Sequence, residues 1–214
     1  MSHTGNRAFI VACVCALAAL CGGGCDDARA PEVALAFDNF AQACEKDDGA
    51  AATALLCESN HRYYARIRDF ALTAPKKQLL AVPRTEAVEA LTLRMVVPVN
   101  ELRKLDGAGV FRAMTDAGAW RGMGTHEARR VKFTGKDIAW VRVALDGEVG
   151  DFGYEMRLEG GGWKVDFQSP DKKLELEGAK FAREEGLSRE ELIMMEVEGQ
   201  IQQEFDPVWW DPPK

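Results

Sequence analysis

At Thr125 the spacing of apolar residues changes from a helical period of about 3.6 to a period of 2, and this switch constrains the fold more than any other feature of the chain. Before it, apolar residues recur on helical stripes; after it, they alternate. Helices that come first and strands that follow one another directly leave no crossover helices for a parallel sheet. The expected class is α+β, with N-terminal helices packed on one face of a curved four-stranded antiparallel sheet.

The helical part divides at its punctuation. Val33, Phe37, Phe40, Ala41 and Cys44 share one face and predict a helix over 31–46, with Pro31 suited to its first position. Asp48 is a candidate cap for a short helix over 49–58. A third, over 60–74, turns Tyr63, Ile67, Phe70 and Ala71 inward and stops at Pro75. Pro83 and Pro98 bound a fourth, with Thr85 as its cap and Val88, Leu91 and Met95 as its stripe. Asp106-Gly107 opens a fifth that carries Val110, Phe111 and Met114 and ends at Gly118.

The strands follow as a meander. Val131 and Phe133 alternate within 130–134, and Gly135-Lys136-Asp137 turns the chain. Ala139, Val141, Val143 and Leu145 then share a face, up to Asp146-Gly147, a strong hairpin signal. Phe152, Tyr154, Met156 and Leu158 alternate, Gly160-Gly161-Gly162 turns, and Trp163, Val165 and Phe167 alternate again.

The C-terminal 45 residues, 170–214, have a different composition: 12 acidic and 6 basic side chains supply −6 of the net charge of −7. An acidic chain excludes a nucleic-acid binder, which needs clustered Lys and Arg to neutralise phosphates. Ser188-Arg189-Glu190-Glu191 reads as a capping box opening a helix with Ile193, Val197, Ile201 and Phe205 on one stripe. Trp209-Trp210, among prolines, either docks back on the domain or forms an exposed anchor for a partner.

The N-terminus carries the localisation signal. Arg7 precedes 13 uncharged residues, 8–20, too few to span a bilayer and the length of a secretory apolar region. Ala28-Arg29-Ala30 has signal-peptidase spacing, but Pro31 would follow the cut. A cysteine just past the apolar run resembles a bacterial lipoprotein signal, in which that Cys is acylated and becomes the new N-terminus. Cys25, preceded by Gly24, is the assigned site, with Cys21, preceded by Leu20, as the alternative. The organisation is thus signal and lipidation site in 1–25, a tether in 26–30, the α+β domain in 31–169 with a helical insertion at about 76–124, and the extension in 170–214. The expected location is a bacterial membrane, facing the periplasm or cell exterior.

Export would leave the mature domain Cys44 and Cys57 in an oxidising compartment. They lie near the ends of consecutive predicted helices, around Asp47-Asp48-Gly49, and are expected to pair. The closed loop of about 14 residues would add about 3 kcal/mol in the chain-entropy model. The alternative is two small buried thiols. No metal site or cofactor is expected, since neither Cys nor His occurs at ligand spacing.

Two or three helices followed by a meander that ends in Gly161-Gly162-Trp163-Lys164-Val165-Asp166-Phe167 resemble the nuclear transport factor 2-like (cystatin-like) superfamily, over residues 32–74 and 126–168. The resemblance implies a curved sheet wrapped around the first long helix as a cone with an open pocket. Members include enzymes such as ketosteroid isomerase and scytalone dehydratase, and others that only bind. No residue of the isomerase arrangement matches, so no catalytic residue is carried over.

The polar candidates are His61, His126-Glu127, Arg142, Asp151, Tyr154 and Asp166, none in a recognised catalytic spacing. Arg62, Arg66 and Arg68 form one basic patch and Arg121, Arg129 and Arg130 another, read as solvated faces paired with nearby acids. The expected function is a non-catalytic binding module. Its pocket would be lined by Tyr63, Trp140, Tyr154 and Trp163 and take a small apolar ligand or an envelope protein segment. The rivals are a small isomerase, dehydratase or hydrolase using His61 or Asp166 as base, and a structural envelope protein recruited through the acidic tail.

Overall fold

The computed structural model describes residues 28–145 and 147–214, and of residues 145, 150 and 151 the backbone only. The signal segment, Cys21, Cys25 and Asp146 lie outside the described residues. Seven helices come first: α1 (Ala30–Glu45), α2 (Gly49–Ala54), α3 (Glu58–Thr73), α4 (Lys76–Leu79), α5 (Arg84–Val96), α6 (Val99–Leu102) and α7 (Gly107–Asp116). Four strands follow, β1 (His126–Phe133), β2 (Ile138–Leu145), β3 (Glu148–Glu159) and β4 (Gly162–Asp166), then α8 (Asp171–Glu185) and α9 (Arg189–Ile201). The strands form one antiparallel sheet in the order β1-β2-β3-β4. The class is α+β, as the change of period requires.

α1 lies on the sheet because its apolar stripe and the strands' inward residues are each other's only large cover. Val33, Phe37, Phe40 and Cys44 are fully buried. The Phe37 ring sits 5.1 Å from that of Tyr154, and the Phe40 ring 5.5 Å from that of Phe167. On the strands, Ala139, Val141, Val143, Tyr154, Met156, Trp163 and Val165 face this layer and are buried.

Two local features depart from the sequence reading. The second helix stops at Ala54 rather than near 58, because residues 55–57 leave it to cover the β4 edge. There Val165 N donates to Leu55 O at 2.8 Å and Cys57 N donates to Val165 O at 3.0 Å, so an otherwise open strand edge is satisfied. The predicted fourth helix is α5, which starts two residues early, with Pro83 as its cap; Thr85 lies inside it and its N–H is taken by Glu175 at 2.7 Å.

α3 and α7 cross so closely that a Cβ at Gly107 would stand 1.7 Å from the His61 carbonyl oxygen. The Asp106 side chain caps α7, accepting from Gly109 N at 2.8 Å.

The expected Cys44–Cys57 disulfide is absent; both are free, buried thiols. Cys44 lies on the buried stripe of α1, while Cys57 caps the start of α3 with its N–H bonded to Val165 O of β4. Burial pushes both thiols up to about 12.

The extension docks on α5. Leu192, Ile193 and Val197 of α9 are buried, the capping box at Ser188 and Glu191 is formed, and Thr92 donates to Gln200 at 2.8 Å. Trp210 is 3% exposed, so the tail docks rather than presenting an anchor. The Arg94 guanidinium secures it, with Nη1 donating to the carbonyls of Trp209 (2.8 Å) and Trp210 (3.1 Å). Nε donates to Ala71 O (2.7 Å) and Nη2 to the carbonyls of Phe70 (3.1 Å) and Ala74 (2.5 Å), which satisfies the end of α3. α8, by contrast, buries none of its residues.

Candidate functional site

A half-enclosed cavity of about 780 Å³ opens between α5, α8, α9 and the sheet. Val88 and Glu89 of α5 line one side, Tyr154 and Phe167 the sheet side, and Trp120 the loop after α7. α8 closes it with Asp171 and Phe181. The aromatic wall is continuous: Trp120 meets Phe167 edge-on at 5.0 Å, and Phe167 stacks on Tyr154 at 6.0 Å.

Glu89 is the chemical centre of this cavity. It is 8% exposed and accepts from Tyr63 Oη at 2.5 Å and Tyr64 Oη at 3.1 Å. No cation is among the groups that shift it: burial pushes its carboxyl up to about 8, partly opposed by the two phenol hydrogen bonds, with Asp171 and Glu86 adding like charge. Asp171, at the start of α8, has no side-chain hydrogen bond or ion pair among the described residues. Burial first, then Glu86 and Glu175, push it up to about 7. Two carboxylic acids in one cavity therefore change protonation near neutrality.

Among the described residues, two of the three cations lining this cavity are closely engaged, and the third, Lys180, lies 4.0 Å from Glu184. Arg84 is held by Glu196 and by the Leu174 carbonyl at 2.6 Å. Arg121 pairs with Asp47 at 2.6 Å.

Of the residues expected to line a pocket, only Tyr154 does so; its hydroxyl lies 3.2 Å from His126 Nδ1. Tyr63 stands one step behind the cavity, supporting Glu89. Trp140 is misassigned: it alternates with inward Ala139 and Val141 onto the opposite face of the sheet, where its ring lies against Gly153. Trp163 is inward but fills the core near Phe133, ring to ring at 5.7 Å.

The candidate bases are elsewhere too. His61 lies beside Glu58 at 3.2 Å and borders a separate, more open depression. Asp166 accepts from Arg157 Nε at 3.3 Å. The side chain of Asp151 lies outside the described residues. Glu89 and Asp171 escaped the sequence reading because a charged residue on an amphipathic helix reads as solvent-facing. The available signal was that Ala87, Val88, Ala90, Leu91 and Leu93 leave no purely polar face between Pro83 and Pro98, the mark of a helix covered on all sides.

No cluster of three or more His, Cys, Asp or Glu side chains able to hold a metal ion occurs among the described residues. None of the described helices is long and apolar enough to cross a membrane. No protein-family model, curated protein or solved structure matches the chain.

Proposed function

We propose that this chain is an extracytoplasmic lipoprotein, anchored by an acyl group on Cys25 or Cys21, whose domain binds a small ligand with a largely apolar body. The observation that carries the reading is the aromatic-walled cavity of about 780 Å³, a size that holds a small molecule. Trp120, Tyr154, Phe167 and Phe181 suit an apolar or aromatic body. Of its lining cations, Arg84 and Arg121 are paired with Glu196 and Asp47, and Lys180 stands exposed at 4.0 Å from Glu184. The helices-on-meander architecture supports membership of the nuclear transport factor 2-like superfamily, with the extension supplying one wall of the cavity.

The test is native mass spectrometry of the full protein purified from its own membranes. A retained small molecule, lost in a V88W variant that fills the cavity, is the expected result. A ligand-free protein that binds no apolar probe, with V88W indistinguishable from the parent, overturns the reading. The same spectra read the mature N-terminus, and an unacylated start at Ala30 or Pro31 overturns the anchor.

A second reading, a small isomerase, dehydratase or hydrolase, is favoured by one observation. Glu89 and Asp171 face one cavity with carboxyls that titrate near neutrality, which suits proton transfer. Conversion of the retained compound that is abolished in both E89Q and D171N would select it. The third reading, a structural envelope protein recruited through the acidic tail and Trp209-Trp210, receives no support from a buried Trp210.

A further inference from the structure

We infer that the β1–β2 end of the sheet, with the adjoining outer face of β1 and β2, is the surface this domain lays against an anionic phospholipid leaflet. The inference rests on the anchor proposed above, and three independent observations point to the same end of the molecule.

The first is where the described chain begins. Arg29 Nη1 donates to Lys136 O at 2.6 Å, and its guanidinium lies 4.3 Å from the centre of the Phe133 ring. The start of α1 is therefore fastened to the β1–β2 turn. Cys25 precedes Arg29 by four residues, which span no more than about 14 Å when fully extended. An acyl group there brings a bilayer surface close to that turn.

The second is charge. Arg130 and Lys132 on β1 and Lys136 in the turn are exposed, and their side chains have no partner among the described residues. Of their neighbours on the sheet, Arg129 pairs with Glu127 and Arg157 with Glu155. The extension meanwhile carries −6 of the −7 net charge. Three exposed cations without a partner among the described residues thus stand where the tether attaches, while most of the net negative charge lies on the extension. An anionic surface attracts the first and repels the second.

The third is Trp140. It is the cross-strand partner of Lys132, half-buried on the outer face. An indole beside lysines matches the amphipathic aromatic residues that sit at headgroup level. No residue lining the cavity comes from α1, β1 or β2, so this orientation leaves the cavity clear of the membrane.

The experiment reconstitutes the full, acylated protein into vesicles of phosphatidylcholine alone or of equimolar phosphatidylcholine and phosphatidylglycerol. Lysines are then acetylated with a membrane-impermeant reagent, and rates are read by mass spectrometry. In the anionic vesicles Lys132 and Lys136 should react about fivefold more slowly than in phosphatidylcholine, with protection lost at high salt. Lys172 and Lys180 on α8 should be unaffected. In the R130E/K132E variant, which alters only exposed side chains, Lys136 should regain its unprotected rate. An acylated protein whose Lys132 and Lys136 react equally in both vesicles overturns the inference and leaves the anchor standing. Protection that is equal in R130E/K132E, or that needs an added envelope protein, also overturns it. Recovery of an unacylated chain removes the anchor and the inference together.

Discussion

Tyr63 donates a 2.5 Å hydrogen bond to Glu89, and through it α3 fixes a buried carboxyl that lines the cavity. Tyr64 supplies the second donor at 3.1 Å. The neighbours Asp171 and Glu86 add like charge, and burial drives the phenols of Tyr63 and Tyr64 upward, so both stay protonated donors. Glu89 is consequently a carboxyl whose ionisation the fold strongly opposes.

Stability should therefore fall as pH rises. Glu89 in the folded chain titrates at about 8, against 4.5 for an ordinary glutamate, and Asp171 at about 7, against 3.8. Between those values the folded state holds protons that the unfolded state has released. Raising the pH across that window favours unfolding, by a few kcal/mol in all. Urea denaturation across pH 5 to about 8.5 checks this. E89Q should flatten most of the slope, and E89Q/D171N nearly all of it. A slope of the opposite sign would show that a cation compensates the pair.

Removing one phenol tests the support rather than the charge. In Y63F, Glu89 keeps only the weaker donor, and a buried carboxyl with an unmet acceptor costs about 1–3 kcal/mol. In an E89Q background the same change should cost less, so the two substitutions are not additive. Equal costs in both backgrounds would mean that Tyr63 contributes packing alone.

Arg94 is the corresponding pin for the tail. Burial lowers its guanidinium to about 10, still charged at neutral pH, and it serves five carbonyls on two segments far apart in sequence. R94A should cost about 3–5 kcal/mol, as expected when a buried charged hydrogen-bonding group is deleted and its partners are stranded. Limited proteolysis should then cut near residues 203–211 in R94A and not in the parent. An intact tail in R94A would mean that Trp210, packed at 5.6 Å on Phe205, suffices alone.

What the sequence made legible is what local chemistry decides. The change of period at Thr125, Asp48 and Asp106 as caps, the capping box at Ser188 and the Gly160-Gly161 turn all act over a few residues, and all recur in the structure. The cavity was not legible, because its parts come from five separate stretches. α5 reads as amphipathic with Val88, Leu91 and Met95 inward, yet Arg84, Glu86, Glu89 and Arg94 are buried too. Their partners are Glu196, Arg66, the Tyr63–Tyr64 pair and the carbonyls of the tail, residues that only the tertiary fold brings near. α8 went unread for the opposite reason: it buries nothing, so its apolar residues lie on no stripe that packing would enforce. Trp140 was misread against its own pattern, because the alternation that turns Ala139 and Val141 inward already puts it on the opposite face.

The free thiols give the last test. Cys44 is fully buried on the α1 stripe, and Cys57, equally buried, begins α3 beneath β4. Burial pushes each thiol up to about 12, so the reactive thiolate is scarce at neutral pH. Both should accordingly persist as thiols even in an oxidising compartment. A thiol-alkylating reagent should leave Cys44 and Cys57 untouched in the native protein and modify both after denaturation without reductant. Modification only after denaturation with reductant would show that the pair is oxidised and that the helix ends are arranged differently.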